Sequence, residues 1–293
     1  MSGSHTGGGQ NPSLSIGMPV YNGEAFVAEA IESLLSQTRS DFELIISDNA
    51  STDATAEIIE GFAAKDPRIR VFRQPENIGA TGNFRFVLDQ ARSDAFMWAA
   101  ADDVWEQNWI EHVLPPVLER PCLAFGRLKT IDENGRPVSH PANDRDFSFT
   151  GPRLLRRLRF FLMPGLLGKA NPIYGIFRRE MMDGDAWNVF ASDRFGGDVL
   201  ALFILLGSHE IRTAGPVYML KRKHENSEAI LEGRETSAKP LRARLFRKSQ
   251  LLDFLAFSRG FEKLLIAAAY PLARVKMTGA KISYLARRKR GRK

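Results

Sequence analysis

Apolar and polar positions alternate between two rhythms over the first hundred residues. Residues 14–20 (LSIGMPV), 42–47 (FELIIS), 69–72 and 95–100 (AFMWAA) are short apolar runs bounded by turn formers, the signature of buried strands. Between them the apolar spacing widens to that of a helix. Residues 24–37 place Phe26, Val27, Ala30, Ile31, Leu34 and Leu35 on one stripe. Residues 49–53 (NASTD) offer several N-caps for a helix with Ile58, Ile59 and Phe62 on its apolar side. Residues 81–91 carry Phe84, Val87 and Leu88 on one face. Strand–helix alternation of this kind predicts an α/β fold, a wound, mostly parallel sheet flanked by helices. Ligands bind such sheets beyond the carboxyl ends of the strands. That rule points to residues 19–22, 48–49, 74–79 and 101–103, where polar or unusual residues gather.

The rhythm loosens from about residue 109 to 217. Residues 147–168 mix arginine with apolar side chains between two breakers, and residues 195–206 (FGGDVLALFILL) read as glycines followed by a buried helix. Beyond residue 235 the stretches 241–259 and 261–273 are helical, amphipathic and basic. Their longest apolar run, 264–273, is interrupted by Pro271 and falls far short of the ~20 residues that cross a bilayer.

Charge sharpens this division. The 293 residues carry 41 Lys and Arg against 34 Asp and Glu, a net +7. Residues 234–293 hold 17 basic and 3 acidic residues, a balance of +14, which leaves −7 on residues 1–233. An acidic body with a basic helical extension predicts that residues 234–293 meet an anionic partner. With 44% hydrophobic and 26% charged residues, the chain is neither disordered nor integral to a membrane. Cys122 is the single cysteine, so no intramolecular disulfide or multi-cysteine metal site exists. Residues 1–12 lack a basic start and an apolar stretch and read as a flexible leader.

Asp102-Asp103, at the end of the fourth strand, is the strongest chemical signal. Adjacent carboxylates repel unless a hard divalent cation takes them as oxygen ligands, and the competing reading is a solvated turn. Asp48 ends the second strand, as an acceptor for a pyrimidine N–H or as the head of an Asx-turn. Pro19, Tyr21 and Asn22 end the first strand, lining a base and ribose or turning the chain. Asn77, Gly79 and Asn83 follow the third strand, as ligand-binding amides around a glycine or as a capped helix start.

In order and spacing, SIGMPVYNGEAFVAEAIESLLSQT, FELIISDNASTDAT, RQPENIGATGN and AAADDVW closely resemble the nucleotide-binding half of family 2 glycosyltransferases, which have the GT-A fold. Further on, NPIYGIFRRE, GGDVLALFILLG and KRKHENS resemble the family's acceptor-side segments. The resemblance implies one glycosyltransferase domain over residues 13–233. Residues 13–109 would bind the nucleotide-sugar and residues 110–233 the acceptor. It implies inverting, metal-dependent sugar transfer from a nucleotide-diphosphate-sugar, UDP or dTDP if Asp48 reads a pyrimidine, with Mn2+ or Mg2+ as cofactor. By the same carry-over Pro19, Tyr21, Asn22, Glu24, Asn77, Gly79 and Asn83 line the donor, and Asp48 reads the base. Asp102 contacts the ribose or metal shell, Asp103 binds the metal, Arg222 supports the phosphates, and His224 approaches the metal or diphosphate. The family's general base is often Glu-Asp at a helix start. Here the position reads Gly197-Asp198, which leaves Asp198 as the base and Asp193 in reserve. A glycan or lipid-linked acceptor of a surface polysaccharide, handled by a cytoplasmic enzyme resting on the inner, anionic face of the cell membrane, suits the basic extension.

Other classes fit less well. A dinucleotide fold needs G-x-G-x-x-G after the first strand, where PVYNGE has one glycine, and a Gly-Lys-Ser/Thr phosphate loop is absent. The ending ARRKRGRK raises nucleic-acid binding, yet residues 1–233 are acidic and carry no such motif, so no nucleic-acid partner is expected. A catalytically inactive nucleotide-sugar binder or scaffold stays open because the Glu-Asp pair is incomplete.

Overall fold

A computed structural model describes residues 11–192, 196–223 and 248–290. Their nine strands form one sheet in the order β3-β2-β1-β4-β8-β6-β9-β5, with β7 on the outer part of β6. The first four strands, β1 (Ser15–Val20), β2 (Glu43–Asp48), β3 (Ile69–Arg73) and β4 (Ala95–Trp98), are parallel throughout. Helices α1 (Val27–Leu35), α2 (Thr55–Ala63) and α3 (Gly79–Asp89) connect them, as the spacing predicts. Every residue of β2 and β4 is buried, because helices cover both faces of a parallel sheet. At Gly17 in β1, a Cβ would stand 2.6 Å from the Phe96 ring and 2.7 Å from Val87. Glycine there lets α3 lie close on the sheet.

The sheet continues without a break into the second half of the chain. β8 (Ile176–Arg178) pairs antiparallel with β4 and with β6 (Leu123–Ile131). β6 then runs parallel to β9 (Ile211–Arg222), whose outer side carries β5 (Val104–Trp105). The irregular rhythm of residues 109–217 has a physical source here. Between Phe125↔Thr213 and Arg127↔Tyr218 the register shifts, and β9 leaves the ladder across Gly215-Pro216. Short pieces fill the connections: α4 (Trp109–Val113), α5 (Pro115–Glu119), β7 (Pro137–Val138) and α7 (Asp185–Phe190). Two longer helices, α6 (Arg153–Leu162) and α8 (Gly197–Leu205), cover the sheet's second half. α8 is apolar around most of its circumference and correspondingly buried.

The C-terminal extension folds as α9 (Lys248–Ala256) and α10 (Phe261–Arg290). α10 runs 30 residues, about 45 Å, straight past the expected stop near residue 273. Pro271 and Ala267, whose backbone bond the proline removes, are both exposed, so water satisfies the freed carbonyl. One side of the extension packs on the body. Phe254 stacks edge-on against Phe161 and Phe203 at 5.1 and 4.7 Å, and Ile266 and Ala273 join the core. Arg157 of α6, 2% exposed, reaches Glu262 at 3.0 Å and the Phe257 carbonyl at 2.6 Å.

The other side of α10 faces out. Phe261, Leu264, Ala268, Leu272, Val275, Gly279 and Ile282, spaced by three or four residues, form one exposed stripe. Phe261, Leu264, Val275 and Ile282 are each 64–69% exposed. The extension therefore packs on the domain by one face while presenting a second apolar face to the outside. Residues 241–247, read as helical from the sequence, lie outside the described residues, as do residues 1–10 of the expected leader.

Candidate active site

The carboxyl ends of β1, β2, β4 and β9 converge, as a wound sheet requires. The loops after β1 and β2 are stapled to each other. Asn22, at φ 50°, donates its backbone N–H to Ser51 Oγ at 2.9 Å and accepts from the Thr52 N–H through Oδ1 at 2.9 Å. Gly23 N–H donates to Thr55 Oγ1 at 2.8 Å, and Glu24 Oε2 accepts from the Ala54 N–H at 2.9 Å. Asn22 and Glu24 thus hold the rim formed by these two loops in shape. Tyr21, 49% exposed, is the side chain on this rim that is open to a ligand, beside the half-buried Pro19.

Asp48 is buried at the end of β2. Its Oδ1 accepts from the Ser51 N–H at 3.0 Å, the Asx-turn that the sequence left as an alternative. Its Oδ2 takes no hydrogen bond among the described residues, and Arg73 Nε stands 3.5 Å away. One oxygen builds the loop, and the other is buried without a hydrogen bond, facing Arg73. Asn49, the next residue after Asp48, does much of the local positioning. Its amide donates to Asn77 Oδ1 at 2.9 Å and its carbonyl oxygen accepts from the Ile78 N–H at 2.9 Å. That clamp sets Gly79 at φ 77°, with open space where a Cβ would be. Asn83 lies beneath, buried, donating to the Ser47 carbonyl at 2.9 Å and the Val20 carbonyl at 3.4 Å. It ties β1 to β2 from behind the site.

The acidic pair follows β4. Asp103 is 1% exposed; its Oδ1 accepts from the Arg222 N–H at 2.9 Å, while Oδ2 has no hydrogen-bond partner among the described residues. Lys221 Nζ lies 4.0 Å from that oxygen. Burial pushes the Asp103 carboxyl up to about 7, Lys221 opposes the rise and Asp102 adds to it. Burial would lower the Lys221 ammonium, but Asp103, Tyr174, Asp102 and Asp198 hold it above its ordinary value. The same groups surround Tyr174, whose hydroxyl is pushed up to about 12 by burial and the three carboxylates, against the pull of Lys221. Asp102, Asp103, Asp198, Tyr174 and Lys221 therefore form one electrostatic cluster, drawn from β4, α8, the 171–174 turn and β9.

Asp198 occupies the first turn of α8, where its Oδ1 accepts from the Val199 N–H at 2.7 Å. Burial raises its carboxyl above the ordinary range, against that hydrogen bond and the ammonium groups of Lys221 and Lys169. Lys169 is buried and lowered to about 8 by desolvation, with Asp198 opposing the shift. Sequence reasoning missed Lys169, Tyr174 and Lys221. The last two stand within NPIYG and KRKH, but their approach to the acidic pair needs β9 beside β5.

Arg222 takes a different place from the phosphate-supporting one expected. Its guanidinium is buried and donates to the Asp102 carbonyl at 3.0 Å and the Asp132 and Glu133 carbonyls at 3.2 and 3.1 Å. It also pairs with Glu29 and covers the Phe26 ring at 4.8 Å. With its donors directed at protein acceptors, Arg222 clamps the acidic turn from behind. His224 and Asp193 lie outside the described residues.

Residues 15–183 match the family model described as glycosyl transferase family 2. The chain belongs to that family. Among its relatives, TuaG of Bacillus subtilis, named for teichuronic acid biosynthesis, is 30% identical over 128 residues, 43% of this chain and 51% of that protein. An uncharacterized protein of Mycobacterium bovis is 40% identical over 198 residues, 64% of this chain and 56% of the relative. The family 2 chain spans about half the length of the curated relatives it matches. In fold it is similar to residues 1–349 of S. aureus TarS, at TM-score 0.56 and 16% identity over 94% of this chain and 91% of that one. TarS has also been solved with UDP and with UDP-GlcNAc. The fold of this family 2 chain is GT-A, with the helical extension appended.

Proposed function

We propose that this chain transfers a sugar, with inversion, from a nucleoside-diphosphate-sugar to a hydroxyl of a surface-glycan or lipid-linked acceptor. One observation carries the reading: an acidic pair whose second member, Asp103, is buried with one oxygen lacking a hydrogen bond shares a charge cluster with the raised carboxyl of Asp198. Asp48 Oδ2 accepts the ring N–H of a pyrimidine, which favours UDP- or dTDP-sugars, and TarS with bound UDP supports that choice. Tyr21 and Pro19 line the base. Lys221 neutralises charge that collects on the leaving diphosphate. Asp198 accepts the proton of the acceptor hydroxyl as that oxygen attacks the anomeric carbon from the face opposite the diphosphate. Its raised carboxyl is closer to the operating pH, where a general base works best.

The buried Oδ2 of Asp103, which takes no hydrogen bond among the described residues and has only Lys221 at 4.0 Å, would fit a hard cation, Mn2+ or Mg2+, with Asp102 beside it. Among the described residues no three His, Cys, Asp or Glu gather to chelate an ion alone, so an ion held there would need further oxygen ligands from the donor and water. When bound, the ion supplies charge neutralisation at the diphosphate.

The exposed stripe of α10, flanked by Lys263, Arg274, Lys276 and Lys281, suits the anionic inner face of a cell membrane. No described helix is long and apolar enough to cross one. The test is a panel of UDP- and dTDP-sugars with Mn2+, with nucleotide release read by mass spectrometry. Release that falls at least a hundredfold with EDTA and in Asp103→Asn supports the reading. Binding without release across the panel would make the chain a nucleotide-sugar binder, and full activity in EDTA would remove the metal.

A further inference from the structure

A cleft of about 880 Å³ lies between the 140–149 loop, the end of α6 and the middle of α10. Its walls carry Arg145, Arg159 and Lys276, and half-buried Leu162, Met163 and Leu167 line its base. Among the described residues, none of the three cations pairs with a carboxylate. Arg145 Nε donates to the Pro141 carbonyl at 2.5 Å and Arg159 Nη2 to the Ser148 carbonyl at 3.2 Å, bonds that orient each guanidinium and leave its other N–H groups to a ligand. One carboxylate, Asp146, also borders the cleft. It is engaged by the Ser148 N–H at 2.6 Å and Thr213 Oγ1 at 2.7 Å, and its single negative charge leaves the walls net positive against the three cations.

The cleft opens beside the chemistry. Thr130 of β6 is the register partner of Lys221, about 4.8 Å across the sheet. Thr130 Oγ1 donates to Asn143 Oδ1 at 2.7 Å, and Asn143 lines the cleft. Lys221 in turn stands 4.0 Å from Asp103. One strand spacing and one hydrogen bond therefore separate the charge cluster from the cleft wall. At the opposite rim, Gly279 both lines the cleft and sits between Val275 and Ile282 on the exposed apolar stripe of α10. The cleft thus lies one strand away from Lys221 of the charge cluster on one side and borders the apolar face of α10 on the other.

We propose that this cleft is the acceptor site and that it takes a phosphate- or diphosphate-bearing lipid, the cations holding the phosphate and the apolar base holding the first units of the hydrocarbon. The inference rests on the transferase reading and names the acceptor class. A ligand with an anionic head and an apolar tail matches both halves of the lining; a neutral glycan would leave the cations unpaired, and a free anion would leave the apolar base wet.

Calorimetry on the full chain tests it with three probes, farnesyl diphosphate, inorganic pyrophosphate and farnesol, and with UDP as an independent reporter of the donor site. Expected is saturable farnesyl diphosphate binding that persists when UDP is saturating. In the Arg159→Gln/Lys276→Gln double variant, and separately in Arg145→Gln, it should weaken about tenfold, the scale of a lost charge-assisted contact. UDP affinity should stay within about twofold. Pyrophosphate binding as tightly as farnesyl diphosphate would reduce the cleft to an anion site and overturn the lipid assignment. Displacement by UDP, or indifference to the substitutions, would place the probe at the donor site or on the outer stripe and overturn the proposal. Loss of UDP binding by the unaltered chain would instead strike the donor reading, so the two failures are distinguishable.

Discussion

Asp198 is held between two demands. Its own helix start stabilises the carboxylate through the Val199 N–H, while burial pushes the proton back on. If it is the base, Asp198→Asn removes the proton acceptor but preserves shape. Turnover should fall by two to four orders of magnitude, with donor affinity by calorimetry changed little. Loss of donor binding would assign the residue to the donor side. His140 gives a pH handle away from the carboxylates. Burial, with help from Lys223 and Lys221, lowers its imidazole to about 4. Its unfolded value is 6.5, so the neutral ring favours the folded state fully above pH 6.5, and that contribution is lost as pH falls towards about 4. His140→Asn should show a shallower loss of stability across this window in denaturant titrations at fixed pH. Asp48, Asp102 and Asp103 were legible in the sequence because strand ends are legible, and Asp198 because two glycines lead into an apolar helix there. The place of Arg222 was not, because its three carbonyl acceptors, on two separate turns, are brought to it by tertiary structure.

The clasp between α6 and α10 concentrates a risk in one ion pair. Arg157 is enclosed by Phe203 at 3.8 Å, the Phe257 carbonyl and Glu262, and burial lowers its guanidinium to about 10. Glu262→Ala leaves that buried cation without its counter-charge, a loss of about 3–5 kcal/mol. Thermal unfolding should show a clearly lower midpoint, and Glu262→Gln, which retains hydrogen-bonding capacity, should recover part of it. An unchanged midpoint would mean that α10 is not held through this pair. Helices α1 to α3 were readable because each has a single apolar face. α10 outruns its expected span, which ended at residue 273 with the apolar run, because a helix continues past the stretch that anchors it to the body. β6 and β9 hid behind a register shift that leaves no regular alternation.

Charge is divided across the molecule as it is along the sequence, with an acidic catalytic body under a basic extension. The exposed stripe of α10 gives that division an orientation. Flotation should recover the full chain with anionic vesicles at low salt and lose it at high salt, since each basic residue near an anionic leaflet contributes roughly 1 kcal/mol. Leu264→Glu/Val275→Glu/Ile282→Glu should abolish flotation while nucleotide-sugar turnover on a soluble acceptor is retained. A change from dimer to monomer in light scattering, without any flotation, would assign the stripe to a second copy. Salt-sensitive capture of RNA in place of vesicles would assign the charge to nucleic acid. The bond between Asp103 and the Arg222 backbone has a further consequence, one of time. Its partners are 119 residues apart, so at roughly 5–20 residues per second the acidic pair waits about 6–24 s during synthesis for the strand that locks it. The four parallel strands are complete well before then. A nascent chain therefore completes its four parallel strands before Asp103 gains its bond to Arg222, and the helical extension follows both.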